Sequence, residues 1–275
     1  MASIQQLGYA APLDIWGDAQ GAYSVRKLSS SYTGFAMRVK RTSDGEVLDI
    51  GFKANGDLDT DAIIGFQNPA PDDMGVELWY DQSGNNNDLR QINLVQSPGI
   101  LKAGAIITNG ANGRPTTNWN GTAIANNTTM RSPITWTGDA DATQFNVQAM
   151  ALAPDTTGQM FKGSLTDYFS YYERTNLVDP VDLVGGNPMP SSEYYVNNVL
   201  VNPKNRDRLW NNYSLLSSQK FVAMCHLETT NFTLMEVSMS GQDAMNGTMA
   251  EFIHFNTDYS AVKADITANQ IAYFG

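Results

Sequence analysis

Carboxylates recur along this chain at spacings that could hold a cation or act on a sugar. Asp57, Asp59 and Asp61 alternate, and hard cations such as calcium take clustered carboxylate oxygens. The EF-hand pattern is not met, because Ala62 stands where that loop needs Gly and Asn68 where it needs a bidentate Glu. The same residues fit the start of a short helix, capped by Asp57, Asp59 or Thr60 ahead of Ile63, Ile64 and Phe66. Asp81 with Asn85 to Asp88 could hold an ion or a sugar hydroxyl, or could form an Asx-rich turn that satisfies its own backbone. Asp243 sits in Gly241-Gln242-Asp243-Ala244-Met245-Asn246-Gly247, a setting in which Asp commonly forms a turn. Glycoside hydrolysis needs two carboxyls facing each other across a cleft. The Glu-x-Asp-x-Glu strand that supplies them in glucanases does not occur in the sequence, and Glu236 and Glu251 each offer a single acid.

Other reactive groups are few. His226 and His254, the only histidines, stand in apolar stretches without the His or Cys spacing of a zinc site, so no metal is expected. Cys225 is the only cysteine, which excludes an intrachain disulfide. It neighbours His226, so on a strand the two side chains point to opposite faces and do not make a nucleophilic pair. No Gly-x-Ser-x-Gly elbow or phosphate loop appears, and no cofactor is expected. Trp79, Trp119, Trp136, Trp210 and Tyr168, Tyr171, Tyr172, Tyr194 and Tyr195 could stack on sugar rings. A layered β protein needs most of them as filling, which leaves the loop residues Trp136 and Trp210 as candidate glycan-binding groups.

The elements that would carry these residues are mostly strands. Phe35, Met37 and Val39 alternate with Ala36, Arg38 and Lys40, Asp44-Gly45 turns the chain, and Leu48, Ile50 and Phe52 resume the alternation, which predicts a β-hairpin. Val76, Leu78 and Tyr80 predict the next strand. Short apolar runs then recur between Gly, Asn and Pro breaks, among them Thr116–Trp119, Phe145–Ala153, Phe221–Leu227 and Met249–Phe255. This pattern predicts an all-β sandwich of two antiparallel sheets packed face to face, with a short helix near residue 60. A C-terminal helix capped by Asp258 or Ser260 should bury Val262, Ile266 and Tyr273. The loops Pro180–Pro190 and Asn202–Asn212 are where specificity would sit. We read residues 1–11 as an arm and 12–275 as a single domain.

The chain has 275 residues and a formal charge of −11. That field repels phosphate backbones, and Arg38 to Arg41 is too short a basic run to reverse it, so no nucleic-acid partner is expected. Few residues are charged, which leaves Asn, Thr, Ser and Gln to supply the polar surface. No stretch has the length and apolarity of a membrane span, and the N-terminus lacks the basic and apolar regions of a signal peptide. Synthesis in a reducing cytoplasm is therefore expected, with no membrane insertion.

Four segments carry a family likeness: Pro12-Leu13-Asp14-Ile15-Trp16, Ala22-Tyr23-Ser24, Tyr32-Thr33-Gly34 and the run Trp79-Tyr80-Asp81-Gln82-Ser83-Gly84-Asn85-Asn86-Asn87-Asp88-Leu89. Together they resemble the catalytic-domain sandwich of arabinofuranosidase B, which implies a concanavalin A-like jelly-roll sandwich, and, more closely, related modules of tailed bacteriophages, which also end in segments similar to Glu251-Phe252-Ile253 and Asn256 to Ser260. The resemblance implies that Asp243, in its Gly-rich loop before a late strand, is the general acid of a hydrolase. The enzymes' nucleophile is a Glu near paired cysteines, but Met160 to Tyr168 holds neither residue type, its nearest acid being Asp167, and Leu13 stands where the enzymes carry a cysteine. The function expected on this basis is that of a non-enzymatic bacteriophage virion structural protein, a head decoration, fibre or tail-adhesin component. It would be homo-oligomeric, most simply a trimer, located on the virion among other virion proteins, and able to bind host surface polysaccharide. The alternative is a glycoside hydrolase, arabinofuranosidase-like or a polysaccharide depolymerase, with Asp243 as acid.

Overall fold

A computed structural model describes residues 9–68, 71–109, 113–119, 129–132, 141–150, 161–162, 168–169, 193–200, 202, 221–228, 236–237 and 247–275. The predicted all-β sandwich is present. Its longer strands are β1 (Ala19–Ser24), β2 (Met37–Arg41), β3 (Val47–Ile50), β4 (Met74–Trp79), β5 (Gly99–Lys102), β6 (Thr117–Trp119), β7 (Asp141–Met150), β8 (Glu193–Val196), β9 (Phe221–Glu228) and β10 (Gly247–Phe255). The helices are α1 (Pro12–Ile15), α2 (Thr60–Gly65) and α3 (Lys263–Phe274).

One layer runs β8-β9-β7-β10, and the far edge of β10 is shared end to end by β1 and β6. The other layer runs β3-β2-β4-β5. The two join where Asn118 of β6 pairs with Gly99 of β5. All of these pairings are antiparallel. The predicted hairpin is β2-β3, in register from Met37 opposite Ile50 to Lys40 opposite Val47, and Gly45 supplies its turn with φ +77°.

The interior forms because the inward faces carry large apolar side chains that are closed to solvent. Trp79 and Trp119 lie with ring centroids 6.5 Å apart, and Tyr23 stacks on Phe252 at 5.9 Å. The outer face of the β7-β10 layer is apolar as well, and Phe145, Ile253 and Phe255 meet Ile266 of α3 there. Ser260 N–H donates to Asp258 Oδ1 at 2.7 Å in the turn before that helix, but the helix begins at Lys263 after Val262 with no side-chain cap, so neither Asp258 nor Ser260 caps it as the sequence predicts.

The alternating acids near residue 60 act as a helix start. Asp59 Oδ1 accepts from Ala62 N–H at the beginning of α2, while Asp57 pairs with Arg114 and Asp61 with Lys53. Three carboxylates that diverge to three partners do not make a calcium loop. The expected arm is anchored from Tyr9 onward: its hydroxyl lies 2.9 Å from the carbonyl oxygens of both Lys27 and Gly56, and its ring meets the Tyr273 edge at 4.7 Å. Among the described residues no helix is long and apolar enough to cross a membrane.

Candidate functional site

The motif after β4 forms a corner in which Asp81 is fully engaged. Its Oδ1 accepts from Ala22 N–H and Ser83 N–H, both at 2.9 Å, and its Oδ2 from Ser83 Oγ–H at 2.7 Å and Asn87 N–H at 3.0 Å. Gln82 accepts from Leu28 N–H and donates to the carbonyls of Ser24 and Arg26. Asn87 donates to Gln20 O, and Tyr23 donates to Asn87 O. Of the readings open for this turn, the Asx-rich one holds: the motif's polar side chains stitch the loop to β1. Burial, with the Asp81 charge beside it, raises the Asp88 carboxyl above its ordinary pKa.

Beside the corner lies a polar cleft of about 410 Å³ whose walls include Gly17, Asp18, Ser31, Tyr32, Ser83 and Gly84. Tyr32 lies over Gly34, where a β-carbon would clash with its hydroxyl group. Asp14 braces the rim by accepting from Ser29 Oγ–H at 2.7 Å and Ser30 N–H at 3.0 Å. Partial burial works to raise the Asp14 pKa, but these hydrogen bonds outweigh it and hold the carboxyl below its usual range. Hydroxyl groups of this kind can bind a small polyol, but a carboxylate held ionised by loop donors is not poised to give a proton.

A second polar surface lies inside the sandwich. On β7, Gln144, Asn146 and Gln148 alternate with Phe145 and Val147, so the three amides share one face. Asn146 lies opposite Phe252, whose ring stacks on Tyr23, and this places the row on the inward side; Phe145 takes the side covered by α3. The amides are 0%, 0% and 1% exposed, and among the described residues their side-chain nitrogens and oxygens meet no hydrogen-bond partner. A buried polar atom left unpaired costs about 1–3 kcal/mol. Six such atoms in a row mark a surface that is satisfied only by polar matter outside these residues. Opposite Gln144, burial pushes the His254 imidazole down to about 3, which keeps it neutral.

Asp243, Trp136 and Trp210 lie outside the described residues, as do Asp167 and the loop 180–190. Glu251 faces no cleft; it is sealed in an ion pair with Arg26. Among the described residues no group of three or more His, Cys, Asp or Glu could hold a metal. The sequence reading missed the amide row because Phe145–Ala153 scans as an apolar run. The available signal was its alternation, in which the polar members face inward.

Layered antiparallel sheets with a terminal helix packed on the outer face define a jelly-roll sandwich. The chain belongs to the family described as alpha-L-arabinofuranosidase B, catalytic, whose model matches residues 13–150, a span that includes both the corner and β7. No curated protein matches it. Three solved structures are similar to it. A GH54 α-L-arabinofuranosidase soaked with a cyclic sulfate inhibitor matches at 17% identity with a TM-score of 0.64, covering 96% of this chain and 66% of that one. A mutant GH54 α-L-arabinofuranosidase soaked with 4-nitrophenyl α-L-arabinofuranoside matches at 16% identity and 0.62, with the same coverage. An arabinofuranosidase complexed with arabinofuranosyl-α-1,2-xylobiose matches at 15% and 0.60, covering 96% of this chain and 65% of that one. At such identities the likeness establishes the fold, and this chain spans about two thirds of the length of each.

Family membership corrects the expectation of a non-enzymatic virion structural protein. The matching model is that of a catalytic domain, the similar structures are arabinofuranosidases, and nothing in them is a decoration, fibre or adhesin component. The expectation rested on the likeness to phage modules, on the lack of a secretion signal and on the uncharged arm, with catalysis doubted for the Glu and Cys missing from Met160 to Tyr168, outside the matched span, and for Leu13, within it.

Proposed function

We propose that this chain is a glycoside hydrolase that releases α-L-arabinofuranosyl units from a larger glycan. The observation that carries the reading is the match of residues 13–150 to an arabinofuranosidase catalytic domain.

In this reading Asp243 is the general acid that protonates the departing glycosidic oxygen while a second carboxyl attacks or activates water. Asp167, the acid nearest the segment that holds the nucleophile in the similar enzymes, is the first residue to replace in the search for that partner. Trp136 and Trp210 are assigned to stacking on neighbouring sugars. Incubation of the purified chain with arabinofuranosyl-α-1,2-xylobiose tests the proposal. Chromatographic appearance of free arabinose supports it, and an unchanged substrate across acid and neutral pH overturns it.

A further inference from the structure

We propose that the polar cleft beside the corner is a carbohydrate-binding site that holds one neutral sugar unit of a glycan chain through Asp18, Thr33 and the ring of Tyr32. It uses none of the groups assigned above to the hydrolysis. Three features lead to it.

The first is room between fixed walls. The cleft encloses about 410 Å³, within the roughly 300–1,000 Å³ of small-molecule sites, and every residue that lines it is among those described. Three separate segments supply most of its walls, at residues 17–19, 29–34 and 82–84. Each is pinned by a group other than those offered to the ligand: Tyr259 Oη–H donates to Gly17 O at 2.8 Å, Asp14 holds Ser29 and Ser30, and Asp81 holds Ser83. A site already in shape loses little freedom when a ligand enters.

The second is the set of groups left over. Asp18 and Thr33 both line the cleft, and among the described residues the Asp18 carboxylate and the Thr33 hydroxyl meet no hydrogen-bond or ion-pair partner. A carboxylate accepts from two O–H donors at once, and a Thr hydroxyl both donates and accepts, which together match neighbouring hydroxyls on a sugar ring. The Tyr32 hydroxyl is committed to Phe35 O at 2.9 Å. What Tyr32 offers the cleft is therefore its ring, against which the C–H face of a sugar packs.

The third is charge. No Lys, Arg or His lines the cleft, so a phosphate or a carboxylate would find no counter-charge there. Among the described residues no group of three or more His, Cys, Asp or Glu could hold a metal. A neutral polyol meets neither obstacle. An organic amine, drawn to Asp18, is the remaining rival, and the test includes it.

Xylobiose and cellobiose serve as probes, because both are neutral and neither carries an arabinofuranosyl unit. Titrated into the full isotope-labelled chain, at least one of them should shift the backbone amide resonances of Thr33, Gly34 and Gly84 saturably. Asp18 and Thr33 are both exposed, and Asn shares the tolerance of Asp for the left-handed backbone at position 18, φ +64°. Asp18→Asn should therefore weaken binding about ten-fold and Thr33→Val about three-fold, with melting temperatures close to wild type. The proposal is overturned if neither sugar gives a saturable shift, if Asp18→Asn binds within about two-fold of wild type, or if the cleft responds to methylammonium chloride and to neither sugar. None of these readouts involves hydrolysis. A chain that binds here without cleaving arabinosides keeps this site and loses only the function proposed above, and a chain that cleaves them without binding here does the reverse.

Discussion

Arg26 and Glu251 form a two-point ion pair with both side chains closed to solvent, Nε to Oε2 at 2.7 Å and Nη2 to Oε1 at 2.9 Å. Glu251 also accepts from Ser24 Oγ–H at 2.8 Å and Gln270 Nε2–H at 3.0 Å, and Arg26 Nη2 donates to Asn269 Oδ1 at 2.9 Å. The rings of Tyr9, Tyr273 and Phe274 lie 4.8–5.3 Å from the guanidinium carbon. One pair therefore ties β1 and β10 to α3 and to the N-terminal segment.

Removing one member strands the other charge in the interior. Glu251→Gln is expected to cost about 3–5 kcal/mol of unfolding free energy in urea titration, and Arg26→Met with Glu251→Leu much less, since apolar pairs of similar volume replace buried ion pairs at little loss. A cost for the single variant below about 1 kcal/mol would show that the pair is hydrated.

His254 gives the fold an acid sensitivity of known sign. Burial holds its pKa at about 3 against an ordinary value of 6.5, so between those limits the unfolded chain binds the extra proton. The contribution is complete above pH 6.5 and is lost as the pH falls toward 3. Stability should drop by up to about 1.4 kcal/mol per pH unit through this window. The same titration on His254→Gln should show a shallower decline; parallel curves would contradict the assignment.

Asp81 separates a structural from a catalytic reading of the corner. With four donors gathered on its carboxylate, Asp81→Ala is expected to lose about 3 kcal/mol or more, because buried backbone N–H groups are left unpaired. Arabinoside hydrolysis per folded molecule should be retained. A normal melting temperature with abolished turnover would make Asp81 a reacting group instead.

Much of this architecture is legible in the chain because local rules and the fold agree. Alternation around Asp44-Gly45 gives β2-β3, the Asx-rich turn gives the corner, and Asp59 ahead of Ala62 gives α2. The rest needs the tertiary structure. Arg26 and Glu251 are 225 positions apart, and nothing local to either residue names the other. The amide row inverts the usual rule that the polar members of an alternating strand face water, so the rule that finds strands hides it. The virion-protein expectation failed because likeness to phage modules and absent residue types in one segment carry less than a family match running from residue 13 to 150.

The central claim is that Asp243 acts as a general acid in arabinofuranoside hydrolysis, and leaving-group dependence tests it most directly. 4-Nitrophenolate departs without protonation, whereas the sugar alkoxide of arabinofuranosyl-α-1,2-xylobiose does not. Asp243→Asn should therefore slow cleavage of the xylobiose substrate about 100-fold or more and cleavage of the nitrophenyl substrate far less. Equal losses on both substrates, or no cleavage of either by the wild-type chain, would contradict the account.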